Sequence, residues 1–561
     1  MIQFANLVEA LGAAPPDGPF ITFWVDEDEQ ETVTFGEFRE RVAIEAAALR
    51  DCGVVAGDRV VIIMPQGISA MATFVGAMAM GAIPAFLAYP NFKVEPSKYR
   101  AGLAGVTANL QAKAVVIDSE FPEEMLSCVS LEDQTALIRA TARDRTAATP
   151  IERTRISPEC TAFIQHSAGT TGLQKGVALS HRAVLRQIDH LAQSLAISNT
   201  DRVYSWLPLY HDMGLIAAFM LPMVCHIPIV MQSPLDWVMQ PESMLQVVSQ
   251  HKCTLGWMPN FAFQFVSRRT PQSRWPDYDL SSLRLLVNCS EPVRAISMLE
   301  FQRAFGTRDG VLQSSYAMAE NVFAVTQSDR ARGPVTIWAD AQRFRSTHEI
   351  VAVEHGREGA ISFTSSGRLL PSQQGRILSD SGDELSDDRV GEIAIRGDCL
   401  FEGYYNRPDL TAQAIVDGWY RSGDLGFFHN DELYVVGRKK DLLIVGGENL
   451  YPQDIEEVVA AHPAIHDGRV VAMGIYNSDL GTQDIVVVAE VETENMLAQS
   501  AELESEIRRR IVGSMGIAVR SIFLKPPKWI VKSTAGKPAR SATREKLLLQ
   551  HPELEAGTDL Q

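Results

Sequence analysis

Short apolar runs rich in β-branched residues recur through the first four hundred residues, and stretches of helical periodicity lie between them. Arg59-Val60-Val61-Ile62-Ile63-Met64, Ala114-Val115-Val116-Ile117 and Leu283-Arg284-Leu285-Leu286-Val287 read as strands, and residues 37–51 and 242–251 read as helices. Neighbouring parallel strands need a crossover of a dozen or more residues, usually a helix. The alternation therefore predicts an α/β fold with largely parallel sheets. The 561 residues exceed what one core usually holds, so two or more domains are expected. The pattern changes near Lys440, after Gly437-Arg438, which reads as a turn. A strand, a helix from Pro452 to His462, two strands (467–475 and 484–492) and a helix (500–512) follow, a compact α+β unit. We read 1–439 as one domain, of stacked α/β subdomains plus a small β-barrel-like part, and 440–561 as a small mobile α+β domain.

Charge and cysteine usage exclude several functions. The formal net charge is −18, which argues against a nucleic-acid partner. Seven cysteines, at 52, 128, 160, 225, 253, 289 and 399, show no C-x-x-C spacing and read as reduced thiols in a cytoplasmic protein. The start, MIQFANLVEALGAAPPDG, has neither a basic n-region nor a long apolar h-region, so no signal peptide is expected. Residues 67–89 are uncharged and nearly long enough to span a bilayer. They are rich in Ala and Gly and broken by Gly81 and Pro84, so they read as a buried helix and strand of a protein that is not membrane-integral.

The chemistry is concentrated in HSAGTTGLQKGV, residues 166–177. Glycines let backbone N–H groups converge on an anion, threonine hydroxyls add donors, and Lys175 adds a charge. Ser167, Gly169, Thr170, Thr171, Gly172 and Lys175 are the candidate phosphate ligands. The P-loop spacing is absent: Gly172 follows Gly169 too soon, and Lys175 precedes Gly176. Further along, the order SWLPLYHDMGL, NCSEPV, SYAMAE, YRSGDLG, GRKKDLLIVGGENLYPQDIE and KSTAGKPAR completes a set that resembles the adenylate-forming superfamily. The string WLPLYHDMGL is most similar to that of the fatty-acyl-AMP ligases, and the resemblance covers nearly the whole chain.

The resemblance implies that a carboxylate attacks the α-phosphorus of ATP, pyrophosphate leaves, and a thiol then displaces AMP. Such chemistry depends on positioning and on cations near the phosphoryl oxygens. By the same resemblance Tyr316 stacks on adenine, and Ser290, Glu291 and Pro292 wall it. Glu320 holds Mg²⁺, and Asp424 and Arg438 reach the ribose. His211 positions the acid. Lys537 bridges the acyl carboxylate and the α-phosphate during adenylation. Lys440 is the hinge, and rotation about it brings Gly446 and Gly447 to line the thiol route. The acceptor is CoA or the phosphopantetheine of an acyl carrier protein. Residues 206–225, 257–263 and 287–291 should form the acyl pocket; they are mostly apolar, so an apolar carboxylic acid, or its acyl-adenylate, is the expected partner.

The chain departs from the family pattern at the phosphate loop, where Ala168 replaces a serine and Gln174 a proline, and at Ala317, where a glycine is usual. Loss of one hydroxyl donor to a phosphate costs about 1.5–3 kcal/mol. Weakened ATP handling is therefore expected. Two alternatives follow: an enzyme specialised for thioester formation from a supplied adenylate, and a non-catalytic nucleotide or adenylate binder. The segment near 333–362 resembles the insertion of fatty-acyl-AMP ligases, which pass their adenylate to a carrier protein.

Overall fold

A computed structural model describes residues 2–90, 96–127, 129, 136–140, 156–166, 175–445, 448–477, 482–533 and 536–554. The largest sheet has seven strands, in the order Leu312–Ser314, Leu285–Asn288, Leu255–Met258, Val203–Ser205, Ile229–Gln232, Pro19–Trp24 and Gln30–Thr34. All neighbours are parallel except the last pair. A second, wholly parallel sheet of four runs Ile83–Phe86, Arg59–Ile63, Ala114–Asp118 and Ala136–Ala140. Helices cover these sheets, which is why Val60, Val61, Ile62 and Ile63 are all buried instead of alternating. The helix Phe35–Asp51 opens with a capping box in which Thr34 and Glu37 satisfy each other's backbone donors.

Residues 67–89 form the buried twelve-residue helix Ile68–Ala79 and the strand Ile83–Phe86. Among the described residues no helix is long and apolar enough to cross a membrane.

The small β-rich part is an antiparallel five-stranded sheet built on the long strand Trp419–His429, which pairs with Gly391–Arg396, Glu432–Arg438 and Ile415–Val416. Gly437 and Arg438, read from the sequence as a turn, instead end the strand Glu432–Arg438. Arg438 lies directly opposite Asp424 there, so a cross-strand charge pair extends the ladder where a Gly-Arg step suggests a turn. Beyond residue 442, the sheet Ile465–Asn477, Thr482–Val491 and Ser521–Lys525 carries helices Pro452–Ala460, Ser500–Met515 and Arg540–Gln550. Its two core clusters draw their fully buried members only from Leu443 onward.

One close approach shapes the functional region. Asp212 accepts the Met213 N–H and starts a π-helix over Met213–Met220, a rare form enriched at functional sites. A Cβ on Gly214 would lie 2.8 Å from the Pro208 carbonyl carbon and collide with its oxygen. The turn Pro208–Met213 can therefore fold back on itself only with glycine there. Gly214→Ala should lower stability by about 1–3 kcal/mol, read as the midpoint of thermal unfolding. Gly12→Ala, at a helical glycine whose Cβ would meet nothing within 4 Å, is the control and should be neutral or slightly stabilising.

Candidate active site

Four adjacent parallel strands of the large sheet deliver side chains from their carboxyl ends. Val203–Ser205 leads to His211, Leu255–Met258 to Asn260, Leu285–Asn288 to Ser290 and Leu312–Ser314 to Tyr316. Ligands of open α/β sheets bind at such ends. The predicted residues His211, Ser290, Tyr316, Glu320, Asp424, Arg438 and Lys537 converge on this edge. Glu291 also lies there, and its Oε2 accepts the Phe261 N–H at 3.1 Å. Pro292 follows it in the same turn. Ser167, Gly169, Thr170, Thr171 and Gly172 lie outside the described residues, as do Gly446 and Gly447.

Asp424 is held from two sides. Tyr316 donates its hydroxyl to Oδ2 at 2.6 Å, and Arg438 Nε approaches Oδ1 at 3.6 Å. Burial raises the Asp424 carboxyl above its ordinary range, against the opposing pull of Arg438 and the Tyr316 hydrogen bond. Lys440, two residues beyond Arg438, is pushed down by burial and by the Arg438 charge.

Glu320 is buried, and Tyr404 donates its hydroxyl to Oε1 at 2.7 Å. Tyr404 was not anticipated. It sits on the two-residue strand Gly403–Tyr404, which pairs with Gly176–Ser180, the strand that leaves the phosphate loop. Lys175 Nζ stands 4.5 Å above the same ring. One tyrosine thus ties the loop lysine to the Glu320 carboxylate. Immediately after Glu320, Val322 adopts φ 63° and ψ −53°, and Phe323 donates its N–H to the Asn321 carbonyl at 2.6 Å. This is the strained sense of γ-turn, rare for any residue and least suited to a β-branched one.

Lys537 reaches across from the C-terminal unit and donates to the Ser290 carbonyl. Ser290 itself takes φ 73°, the left-handed region, although it is not glycine. Arg294 strengthens the same junction through Glu457 and the Gln453 carbonyl. The segment 333–362 adds a second junction. Phe344, on helix Ala341–Thr347, stacks on Tyr451 with ring centroids 5.3 Å apart, and Arg345 donates to the Met515 carbonyl at 3.0 Å.

Burial and the Lys537 charge lower His211 to about 3, so its imidazole is neutral near pH 7. Its Nε2 is buried without a partner. Asp212, which sequence reasoning passed over, is raised by burial to about 6 and feels both Lys537 and Glu320. A buried aromatic cluster lies in the core: Trp206 stacks on Trp237 at 3.5 Å, and Trp237 contacts Phe261 and Phe265.

Residues 8–405 match the family model described as "AMP-binding enzyme". The chain is 29% identical over 548 residues to the 4-hydroxyphenylalkanoate adenylyltransferase of Mycobacterium tuberculosis (strain ATCC 25618 / H37Rv), covering 92% of this chain and 86% of the relative. It is 28% identical over 583 residues to the long-chain-fatty-acid–AMP ligase FadD32 of Mycolicibacterium smegmatis, covering 94% and 91%. A solved structure from work on fatty acyl-adenylate ligases of E. coli and L. pneumophila superposes with a TM-score of 0.90 at 25% identity, over 98% of this chain and 99% of that one.

The Asp212 carboxyl supplies a direct check on the electrostatics. Its folded value of about 6 exceeds the solvated value of about 3.9. The protonated form therefore contributes stability that is complete below the lower value and lost as pH rises through the higher one. Asp212→Asn should match the parent near pH 4 and exceed its unfolding free energy above about pH 6. Paired denaturant titrations across that range measure the difference; a difference independent of pH would mean that the carboxyl titrates normally.

Proposed function

The chain belongs to the AMP-binding enzyme family, and on that premise we propose how its cleft works. The protein is a ligase that activates an apolar carboxylic acid as an acyl-AMP and passes the acyl group to a thiol. The observation that carries the proposal is the entry of Lys537 into a cleft holding His211, Asp212, Glu320 and Asp424. A carboxylate oxygen attacks the α-phosphorus of ATP, and pyrophosphate departs. Charge gathers on the α-phosphoryl oxygens, where a fixed ammonium group lowers the barrier more than mobile water does. We assign that task to Lys537. Asp424 and Arg438 take the ribose, Tyr316 with Ser290, Glu291 and Pro292 the adenine, and the 167–175 loop the outer phosphates. Neutral His211 hydrogen-bonds the acid without competing as a cation.

The cleft fits a magnesium ion. The Glu320 carboxylate is buried and oriented by Tyr404, and no other protein donor to it is found among the described residues. Glu320 would hold the ion, which neutralises phosphate charge when bound. The six described cysteines are all free thiols, in keeping with a cytoplasmic setting. We place the domain division at Lys440, three residues before the first buried member of the C-terminal cores. The relatives' names point to long-chain and hydroxyphenyl acids. For the acceptor we favour the phosphopantetheine of a carrier protein over CoA. Support comes from the insertion, which ties down the C-terminal unit through Phe344 and Arg345.

Acid-dependent exchange of pyrophosphate into ATP tests the first half-reaction, and thioester formation from synthetic acyl-adenylate tests the second. Lys537→Ala should lose about 10²–10³-fold in exchange while still forming thioester from the supplied adenylate. Equal loss of both would remove the assigned role. The substitutions Ala168 and Gln174 favour one second reading, an enzyme of the thioester step alone. Thioester formation without any exchange by the unmodified protein would select it. A Phe344→Ala, Arg345→Ala double variant should raise thioester formation on free CoA several-fold and leave exchange within about twofold. An unchanged CoA rate would detach the insertion from acceptor choice.

A further inference from the structure

Away from the cleft, helix His181–Ser194 brings His190 against the loop that follows strand Gly391–Arg396. His190 Nε2 lies 3.0 Å from Asp398 Oδ1, and Cys399 Sγ lies 3.5 Å from the same oxygen. One ligand atom from each residue falls within 4.8 Å of the other two. We propose that His190, Asp398 and Cys399 form a binding site for a divalent transition metal, zinc in the first instance.

The distances carry the inference. Zinc bonds of about 2.0–2.1 Å to nitrogen, 2.0–2.2 Å to oxygen and 2.3 Å to sulfur, at tetrahedral angles, leave N···O edges of about 3.4 Å and S···O edges of about 3.6 Å. The observed pairs, 3.0 and 3.5 Å, lie within a few tenths of an ångström of those edges. The third edge, between the imidazole nitrogen and the thiol, lies within 4.8 Å and would close to about 3.6 Å around an ion. Imidazole, thiolate and carboxylate together suit zinc and exclude the all-oxygen preference of magnesium or calcium.

An independent observation points the same way. Gln373 is 8% exposed, and its amide makes no well-formed hydrogen bond, only a looser interaction with the Cys399 thiol. Its amide lies against the Cys399 thiol and the backbone of Gly397, where a Cβ would overlap it. A buried amide whose partner is a neutral thiol is poorly satisfied. Donation to a metal-bound thiolate would satisfy its N–H and orient the sulfur, as outer groups do around metal ligands. His190 Nδ1 has no partner with or without an ion, so it does not choose between the states. His190 and Cys399 are buried, whereas the Asp398 side chain is 39% exposed, which leaves an entry path and a fourth position for water.

The consequence is structural. The loop runs on to Phe401, whose N–H binds the Glu320 carbonyl at 2.8 Å, and to Tyr404, whose hydroxyl holds the Glu320 carboxylate. An ion at Cys399 would fasten the wall behind Glu320 to the helix.

Cobalt(II) titration of the metal-free full-length chain tests this. One equivalent should bind, with tetrahedral visible bands and a thiolate-to-cobalt charge-transfer band that zinc displaces. Cys399→Ser should abolish the charge-transfer band. Asp398→Asn, at an exposed position, should keep the fold and weaken cobalt binding at least tenfold. Circular dichroism and the thermal midpoint establish that each variant is folded. Should Cys399→Ser fail to fold, Asp398→Asn and His190→Gln carry the test. Three results would overturn the proposal: no cobalt bound at micromolar concentration, a charge-transfer band retained in folded Cys399→Ser, or affinity unchanged in Asp398→Asn. The cluster would then be a plain His–Asp hydrogen bond beside a buried thiol.

Discussion

Three carboxylates, on Asp212, Glu320 and Asp424, share a cleft that receives one lysine from the far end of the chain. Like charges a few ångströms apart at a protein surface repel by several kcal/mol. A site for an anionic nucleotide cannot carry three free carboxylates, so each is engaged differently. Tyr316 and Arg438 hold Asp424, and Tyr404 holds Glu320. Asp212 accepts the Met213 N–H, and burial keeps its carboxyl protonated to a higher pH than usual. The Lys537 charge opposes the shift at Asp212 and at Asp424. Those residues fix the floor of the cleft, and the lysine fixes where the C-terminal unit must sit to close it.

Much of this was legible in the sequence because it is local. The α/β alternation follows from strand-length apolar runs, and the helix and strand of residues 68–86 from Ala and Gly content with a break at Gly81, whereas Pro84, also read as a break, lies inside the strand. Tyr316, Glu320 and Asp424 stood out because SYAMAE and YRSGDLG resemble motifs of the adenylate-forming superfamily. Tyr404 did not. Its role rests on two residues of strand pairing with Gly176–Ser180, more than two hundred positions away, and no local pattern encodes that. Asp212 escaped for a different reason: a carboxylate beside a histidine reads the same buried or solvated, and only the fold decides. Arg438 shows the opposite error, since Gly-Arg reads locally as a turn while its pairing with Asp424 keeps it in a strand.

The positive φ angles at Ser290 and Val322 belong to the same account. Each flanks a group that must point into the cleft: the Ser290 carbonyl toward Lys537, and the Glu320 carboxylate toward Tyr404. Neither residue is glycine, so each conformation costs of order 1–3 kcal/mol and must be enforced by its surroundings. Val322 and Phe323 are fully buried, and Gln187 from helix His181–Ser194 accepts the Phe323 N–H. That helix also carries His190. Gln187 and His190, three residues apart on one face of that helix, therefore brace the segment after Glu320 and the loop before Tyr404, so both supports of the Glu320 carboxylate rest on one element.

The junction between the two parts of the chain is polar at the cleft and aromatic at the insertion. Lys537 and Arg294 meet carbonyls and carboxylates, which water can replace at modest cost once the contact opens. Phe344 on Tyr451 is a buried contact in a shared apolar cluster with Phe427 and Tyr434, and opening it would expose apolar surface. The cleft can therefore release its lysine more readily than the insertion can release the C-terminal unit. A thiol that arrives on a long arm can use a small adjustment of such a junction. A rotation that swings the C-terminal unit away must first break the aromatic contact, and the proposed preference for a carrier-borne thiol rests on that cost.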